Sequence, residues 1–213
     1  MENKTDKILG LLKKEYPKAK IALNFADPLS LLVSTILSAQ CTDKRVNIVT
    51  RELFKKYKTI RDYAKADLKA FEQEIRSTGF YHNKAKNIIS SAQKIIKDFN
   101  GKVPDTMDQL IQLPGVARKT ANIVLFNAFG KIEGIAVDTH VKRLSERLGL
   151  SQNKDPEKIE QDLMRQLDRK EWGRFSYLLI EHGRKICDAK KPKCLECVLA
   201  KLCPSKKIFY PET

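Results

Sequence analysis

The sequence lacks an apolar stretch long enough to cross a lipid bilayer. Its longest, from Pro28 to Ala39, falls short of the roughly 20 residues that a membrane-spanning helix needs. The first residues, Met1 to Lys7, are charged, which also argues against an inserted segment there. We therefore expect a soluble intracellular protein that resides in the cytoplasm and has no membrane partner.

The sequence also lacks the sustained alternation of apolar and polar residues that marks β-strands, and only residues 132–137 look extended. Apolar residues instead recur three and four positions apart, which is the period of amphipathic helices. One such set is Val46, Val49, Leu53 and Phe54. Asp27 and Asp155, each followed by a proline, are typical of helix starts. These patterns predict an all-α fold with about nine or ten helices.

Repeats, low-complexity segments and linkers rich in Gly, Pro or Ser are missing as well. This excludes independent halves joined by a flexible hinge, so any division would give two lobes of one compact body. The best candidate for a crossing point is the turn from Gly130 to Gly134, because it interrupts two helical patterns.

Cysteine is scarce except in one short segment. Four of the five cysteines, Cys187, Cys194, Cys197 and Cys203, are separated by six, two and five residues, with no histidine among them. Such local crowding is unlike a secreted disulfide framework and indicates a metal site in a reducing compartment. Four thiolates hold either zinc or an iron–sulfur cluster, and the spacing alone leaves both open.

Acidic residues are too few to balance the basic ones. The chain has 41 Lys and Arg against 26 Asp and Glu, a formal charge of +15. A field of this sign attracts polyanions such as nucleic acids, although surface charge alone also serves solubility. Composition does not decide between these two interpretations.

Residues 104–128 predict two helices joined by a tight turn. Met107, Leu110 and Ile111 are expected to face inward from the first helix, and the second opens at Arg118. The first turn of a helix has unpaired N–H groups and the positive end of the dipole, so it can bind a phosphate. Gly115 would allow positive φ in the turn. The alternative is an ordinary αα-corner without a ligand.

Lys119 and Asp138 are the candidate catalytic residues. An amine in the first turn of a phosphate-binding helix can attack the sugar C1′ atom and form a Schiff base, which an arginine cannot do. Asp138, in the segment Val-Asp-Thr-His, suits the N-cap of the next helix. A capped carboxylate is also held ionised, and it can assist proton transfer or stabilise a cationic sugar.

Three motifs resemble the endonuclease III superfamily of DNA repair enzymes. They are the hairpin segment from Leu113 to Leu125, the Val-Asp-Thr-His segment around Asp138, and the spacing of the four cysteines. Ala117 departs from the family pattern, in which a second glycine is usual, and we expect it to be tolerated if its φ is negative. The resemblance implies that Lys119 is the Schiff-base nucleophile, that Asp138 assists it, and that the cysteines hold a [4Fe–4S] cluster.

The resemblance also implies a two-lobed helix-hairpin-helix DNA glycosylase fold with the active site in the cleft between the lobes. One lobe, residues 22–132, would have six helices and contain the hairpin at about 105–128. Residues 1–21 and 133–213 would form the iron–sulfur lobe. The implied function is that of a base-excision repair enzyme, a bifunctional DNA glycosylase and AP lyase that acts on oxidised pyrimidines. Its partner would be duplex DNA containing damaged bases or abasic sites, bound by a monomer on nucleoid DNA.

Further DNA contacts are predicted outside the catalytic pair. Gln40 and Phe80 resemble the family residues that fill the gap left by an extruded base, although Gln40 would otherwise end a helix and Phe80 would pack in the core. Exposed lysines of the cysteine loop suit phosphate contact, or else only offset the charge of the cluster. The remaining candidates are Leu113, Gly115, Val116, Ala117, Arg118, Thr120, His140, Lys190, Lys191 and Lys193.

Two alternatives stay open on the sequence. One is a mismatch glycosylase of the same fold, but that branch typically lacks the lysine found here at position 119. The other is a non-catalytic helix-hairpin-helix DNA binder with a structural zinc site. It would explain the charge and the cysteines but would give Lys119 no role.

Overall fold

A computed structural model describes residues 3–210, and the regular secondary structure of this part of the chain is entirely helical. It forms twelve α-helices and no β-strand, so the predicted all-α fold is confirmed. The helices are α1 (Lys4–Glu15), α2 (Pro28–Leu37), α3 (Asp43–Lys56), α4 (Ile60–Ala64), α5 (Leu68–Ile75), α6 (Tyr81–Asp98), α7 (Met107–Leu110), α8 (Arg118–Phe129), α9 (Thr139–Arg147), α10 (Pro156–Gln166), α11 (Trp172–Lys185) and α12 (Lys206–Phe209).

The helices outnumber the nine or ten expected because several are very short. The helices α4, α7 and α12 have only four or five residues, too few for a periodic pattern to reveal. Three single 3-10 turns occur at Arg76–Thr78, Arg169–Glu171 and Cys194–Glu196. None of the helices in residues 3–210 combines the length and the apolar character that crossing a membrane requires.

The two proline-marked helix starts are confirmed. The Asp27 side chain accepts a hydrogen bond from the Ser30 backbone N–H, and Pro28 occupies the first helical position of α2. The Asp155 carboxylate receives the N–H groups of Glu157 and Lys158 at the start of α10. Each cap satisfies backbone donors that have no partner within the helix.

The chain divides into two compact units. The first comprises residues 22–133, and the second comprises residues 1–21 and 134–213. Residues 22–133 form seven α-helices, α2 to α8, one more than the six that the resemblance implied. In this unit α2 is buried along nearly its whole length and packs against α3, α6 and α8.

The second unit is built around α11. This helix packs against α9 and α1, and α10 packs against α9. Its core is formed by apolar side chains from α1 and from the later helices, including Ile8, Leu12, Val141, Leu144, Leu163, Phe175 and Leu178. The N-terminal helix α1 therefore completes a core whose other helices follow residue 133.

One predicted core residue of the hairpin unit is exposed instead. Leu110 is fully buried, but Ile111 retains 47% of its surface. The helix α7 ends at Leu110, so the helical period on which the prediction depended does not extend to the next residue.

An aromatic cluster in residues 22–133 gives a stability test. The Phe71 ring on α5 is fully buried, 5.1 Å from the Tyr57 ring and 6.0 Å from the Tyr63 ring between centroids. We expect Phe71→Ala to lower the free energy of unfolding by about 3–5 kcal/mol, because it removes buried contacts and leaves a cavity. Urea unfolding followed by circular dichroism measures this. Leu68→Ala on the same helix is the control, because Leu68 is 44% exposed and should cost far less.

Candidate active site

The hairpin turn between α7 and α8 is closed by backbone hydrogen bonds. The Leu113 N–H donates to the Leu110 carbonyl, and the Val116 N–H donates to the Leu113 carbonyl, both at 3.1 Å. Between them Gly115 has φ +78°, as predicted, a conformation that costs a residue with a Cβ atom. Leu113 and Val116 are buried, whereas the Gly115 backbone is exposed.

Two side chains of the helix α6, Asn87 and Ser91, contact this turn. The Ser91 hydroxyl donates to the Pro114 carbonyl at 2.8 Å. A Cβ atom added at Gly115 would lie 2.8 Å from the Asn87 side-chain nitrogen, closer than such atoms approach. Glycine is thus required at position 115 both for its φ and for the space that Asn87 occupies.

The second hairpin helix begins without a side-chain cap. Its N-cap residue, Ala117, makes no side-chain hydrogen bond to the first turn. A helix start of this kind has the positive end of the helix dipole, which suits a phosphate. Lys119 lies in that first turn and is partly exposed, and Thr120 is buried beneath it.

Ala117 has φ −88° and ψ 169°. This is ordinary extended backbone, so the expectation that alanine is tolerated here is confirmed. A residue with a Cβ atom needs no strained backbone at this position.

Gln40 and Phe80 share an unusual backbone conformation. Their φ values are 51° and 49°, and in residues 3–210 only Asn100 is a further non-glycine residue with positive φ. Each such residue costs on the order of 1–3 kcal/mol, and such strain concentrates at functional sites.

Both side chains are exposed at turns of the 22–133 unit. The Cys41 N–H donates to the Ser38 carbonyl and closes a turn with Gln40 at its third position. Phe80 retains 62% of its surface. The alternative in which Phe80 packs in the core is therefore wrong, and Gln40 lies beyond the end of α2 at Leu37.

Asp138 is the N-cap of α9. One carboxylate oxygen, Oδ1, accepts the N–H groups of His140 and Val141, both at 2.8 Å. The other, Oδ2, lies 3.0 Å from the His140 Nδ1 atom. These contacts hold the carboxylate in one orientation while part of its surface remains exposed.

The segment that leads to Asp138 is anchored at a second point. It lies between α8 and α9 and is neither helix nor strand. The Ile135 N–H donates to a Glu160 carboxylate oxygen at 3.2 Å, and both residues are buried. Asp138 and His140 belong to the unit of residues 134–213, whereas Lys119 belongs to residues 22–133.

The four clustered cysteines line one cavity in the second unit. The Arg147 guanidinium donates to the Cys187 Sγ atom at 3.3 Å, and the Cys203 thiol donates to the Arg147 carbonyl at 3.4 Å. The Cys197 Sγ atom lies 3.3 Å from His182 Nε2. In residues 3–210 no group of three or more His, Cys, Asp or Glu side chains is arranged to hold a single metal ion.

The thiols of Cys194, Cys197 and Cys203 resist ionisation. Burial raises the pKa of Cys194 and Cys203, and it raises that of Cys197 to about 11. Repulsion from the neighbouring cysteines acts in the same direction. Four thiolates are therefore stable together only with a positive centre among them, which is the chemistry of a metal or iron–sulfur ligand set.

The loop between the first two cysteines exposes three lysines. Lys190, Lys191 and Lys193 are all on the surface. The Asp188 side chain accepts the N–H groups of Lys190 and Lys191, and Arg147 donates to the carbonyl groups of Asp188 and Ala189. The loop backbone is thus fixed and its lysine side chains extend into solvent.

Several side chains in these sites were not predicted from the sequence. Arg147 and His182 contact cysteines that lie 15 to 56 residues away along the chain, which no local pattern reveals. Lys84 is buried and bonded to two backbone carbonyls. The sequence pattern indicates the burial of Lys84, because this residue stands four positions before Ile88 on the apolar face of α6.

Comparisons with known proteins agree with this geometry. Residues 33–169 match the model of the HhH-GPD superfamily base excision DNA repair protein family. Endonuclease III of Synechocystis sp. is 53% identical over 204 residues, covering 96% of this chain and 93% of that protein. Endonuclease III of Bacillus subtilis is 47% identical over 189 residues, covering 88% of this chain and 86% of the relative.

A solved structure is similar along nearly the whole chain. It is that of a trapped endonuclease III–DNA covalent intermediate, with a TM-score of 0.92 and 43% identity, covering 98% of this chain and 99% of the other. The predicted base-excision glycosylase and lyase of the endonuclease III type is thereby confirmed. The chain belongs to the HhH-GPD superfamily of base excision DNA repair proteins and, within it, to the endonuclease III family.

Proposed function

We propose that the chain is a bifunctional DNA glycosylase and AP lyase that removes oxidised pyrimidines from duplex DNA, with Lys119 as its nucleophile and Asp138 as its assisting carboxylate. The observation that carries the assignment is the position of Lys119 in the uncapped first turn of α8. A phosphate bound by the amides of this turn brings the DNA backbone to the amine.

The hairpin binds the DNA backbone without selecting a sequence. The exposed Gly115 and Ala117 backbone allows close approach of a phosphate, and Arg118 and Thr120 belong to the same first turn. Buried Leu113 and Val116 keep the turn rigid. Contacts to phosphate position a protein on DNA but carry no base information.

The chemistry proceeds through an imine. The neutral Lys119 Nζ atom attacks C1′ of the damaged nucleotide, the C1′–N bond breaks, and the base leaves with its electron pair and a proton. The sugar opens and forms a protonated imine with Nζ. Loss of a proton from C2′ then expels the 3′ phosphate, which cuts the strand by β-elimination. Water releases the lysine.

Asp138 contributes a fixed negative charge. Its carboxylate is held by the α9 amides and by the His140 ring, so it stays oriented without reorganisation during the reaction. In the proposed complex it stabilises the positive charge that develops on the sugar and assists deprotonation of the Lys119 ammonium. His140 orients Asp138 through the contact between its Nδ1 atom and the Asp138 Oδ2 atom.

The residues of the cysteine cavity suit a [4Fe–4S] cluster held by Cys187, Cys194, Cys197 and Cys203. A cluster of this kind is bound by four thiolates, and four thiols line this one cavity. Its role is structural, because base excision transfers no electron. It would fix the loop whose lysines, Lys190, Lys191 and Lys193, contact phosphate.

The substrate is double-stranded DNA, in which a target base must leave the stack before attack. The exposed side chains of Gln40 and Phe80 suit the space that the base vacates. The proposed enzyme acts as a monomer in the cytoplasm, on nucleoid DNA.

Borohydride trapping on a duplex with one abasic site tests the lyase assignment. Wild-type protein should form a covalent adduct, because borohydride reduces the imine to a stable amine. Lys119→Gln should form none while still shifting the DNA in a gel. Lys97→Gln, an exposed lysine elsewhere in residues 22–133, is the control and should be trapped like wild type. An adduct that persists in Lys119→Gln would refute the assignment.

Asp138→Asn separates the two roles of the carboxylate. Asparagine caps helices about as well as aspartate, so thermal stability should change little, while single-turnover excision should slow by at least about 100-fold. The control is Asp155→Asn, because Asp155 also accepts two backbone N–H groups at a helix start. An excision rate equal to that of the control would show that Asp138 only caps α9.

The cysteine-loop lysines should appear in the salt dependence of binding. The logarithm of the affinity should fall with the logarithm of salt concentration with a slope of about −0.9 per phosphate neutralised. Replacing Lys190, Lys191 and Lys193 by alanine should make this slope shallower, by about 0.9 for each phosphate that is no longer neutralised. Fluorescence anisotropy at several salt concentrations measures it. Lys170→Ala is the control, and an unchanged slope in the triple variant would remove these lysines from the interface.

A further inference from the structure

Lys84 is a buried lysine that joins two separate turns of the 22–133 unit. It retains 4% of its surface on α6. Its ammonium donates to the Leu37 carbonyl and to the Thr78 carbonyl, each at 2.8 Å. Burying a charged amine is unfavourable unless it is hydrogen-bonded. Both of these acceptors are backbone carbonyls at the ends of helical elements rather than carboxylates.

Each acceptor belongs to the end of an element that precedes a strained residue. Leu37 is the last residue of α2, three positions before Gln40. Thr78 ends the 3-10 turn, two positions before Phe80. One ammonium therefore holds the backbone at the base of both turns.

The chemistry of the two helix ends explains why a lysine serves here. The final carbonyls of α2 carry the negative end of its dipole. The Cys41 N–H, which would have bonded the Leu37 carbonyl had the helix continued, instead donates to Ser38. The Lys84 ammonium donates to the Leu37 carbonyl in place of the Cys41 N–H. Burial lowers the pKa of Lys84, and the nearby Cys41 opposes that shift.

We propose that Lys84 is a positioning residue for base extrusion: it fixes the Gln40 turn and the Phe80 turn at one separation, so that both side chains enter the duplex together. This inference rests on the proposed function, in which these two side chains occupy the opened stack. Lys84 itself touches no DNA. Its effect passes through the backbone of the two turns.

The strained backbone of the two turns must be held by hydrogen bonds from neighbouring groups such as Lys84. Positive φ at Gln40 and Phe80 persists only where the surrounding structure holds it. Thr78 is buried and its hydroxyl donates to the Ile75 carbonyl, so the base of the second turn is anchored on both sides. Without the ammonium, the Leu37 and Thr78 carbonyls lose their shared donor and the two turns are free to relax separately.

The test compares Lys84→Met with Lys86→Met. Both variants remove one positive charge from α6 and add the same side chain, but Lys86 is exposed. Extrusion is measured on a duplex with a non-cleavable tetrahydrofuran abasic analogue opposite 2-aminopurine, whose fluorescence rises when it unstacks. Affinity is measured on the same duplex by anisotropy. Borohydride trapping on a single-stranded abasic oligonucleotide reports the chemistry without any duplex to open.

Lys84→Met should bind the duplex within about threefold of wild type but give a fluorescence rise reduced by about tenfold, because loss of the shared donor lowers the population in which both side chains are inserted. Its trapping on single-stranded DNA should match wild type. Lys86→Met should match wild type in all three measurements. Equal duplex fluorescence for the two variants would overturn the inference.

A double-mutant cycle separates positioning from general stability. If Lys84 acts through both turns, then Gln40→Ala and Phe80→Ala should each have a smaller effect on 2-aminopurine fluorescence in the Lys84→Met background than in wild type. Additive effects would mean that Lys84 only stabilises the fold, and would overturn the proposal.

Two further outcomes are distinguishable. Failure of wild-type protein to trap an abasic site in duplex DNA would contradict the proposed function rather than the role of Lys84. If Lys84→Met unfolds below the assay temperature, Lys84→Gln replaces it in the same cycle. Its amide retains donors on a side chain one atom shorter, so it should give a fluorescence rise between those of Lys84→Met and wild type, and a rise equal to wild type would overturn the proposal.

Discussion

The uncapped start of α8 is the constraint on which the hairpin depends. The N-cap residue Ala117 offers no side-chain acceptor to the first turn, so this end of the helix is suited to contact with water or a ligand. The surrounding residues support this arrangement. Gly115 turns the chain with positive φ, Asn87 fills the space behind it, and Ser91 holds the Pro114 carbonyl. The first turn that results is rigid, exposed and positively polarised.

The opposite arrangement is found at α9, where Asp138 fills the role that Ala117 leaves open at α8. There the donors are occupied from within the chain, and the carboxylate is the group held in place. The start of α8 presents backbone N–H donors, whereas the start of α9 presents the Asp138 carboxylate as an acceptor. Electrostatic catalysis depends on such groups being oriented before the substrate arrives, because they then cost no reorganisation.

Local chemistry made much of this predictable from the sequence. Asp27 and Asp155 cap helices because an aspartate side chain accepts first-turn N–H groups and the following proline suits the first helical position. Gly115 has positive φ, and Ala117 is extended as its tolerance required. Asp138 caps α9 because its carboxylate stands just before an amphipathic helix.

The features that sequence did not reveal depend on partners distant in the chain. Phe80 has a left-handed backbone that no propensity assigns to phenylalanine. His182 is set between Tyr16 and Cys197, 166 and 15 residues away. Ile111 is exposed because α7 stops one residue earlier. In each case the outcome is set by tertiary packing or by an element boundary, and periodicity reports neither.

The discontinuous second unit has a consequence for how the chain is made. The helix α1 leaves the ribosome first, yet its apolar face packs against α11, which begins at Trp172. At synthesis rates of about 5–20 residues per second, α1 waits for roughly 10 to 30 seconds before that partner exists. Residues 22–133 are complete by then and free to fold, so this unit forms while Ile8 and Leu12 are still without the core that later buries them.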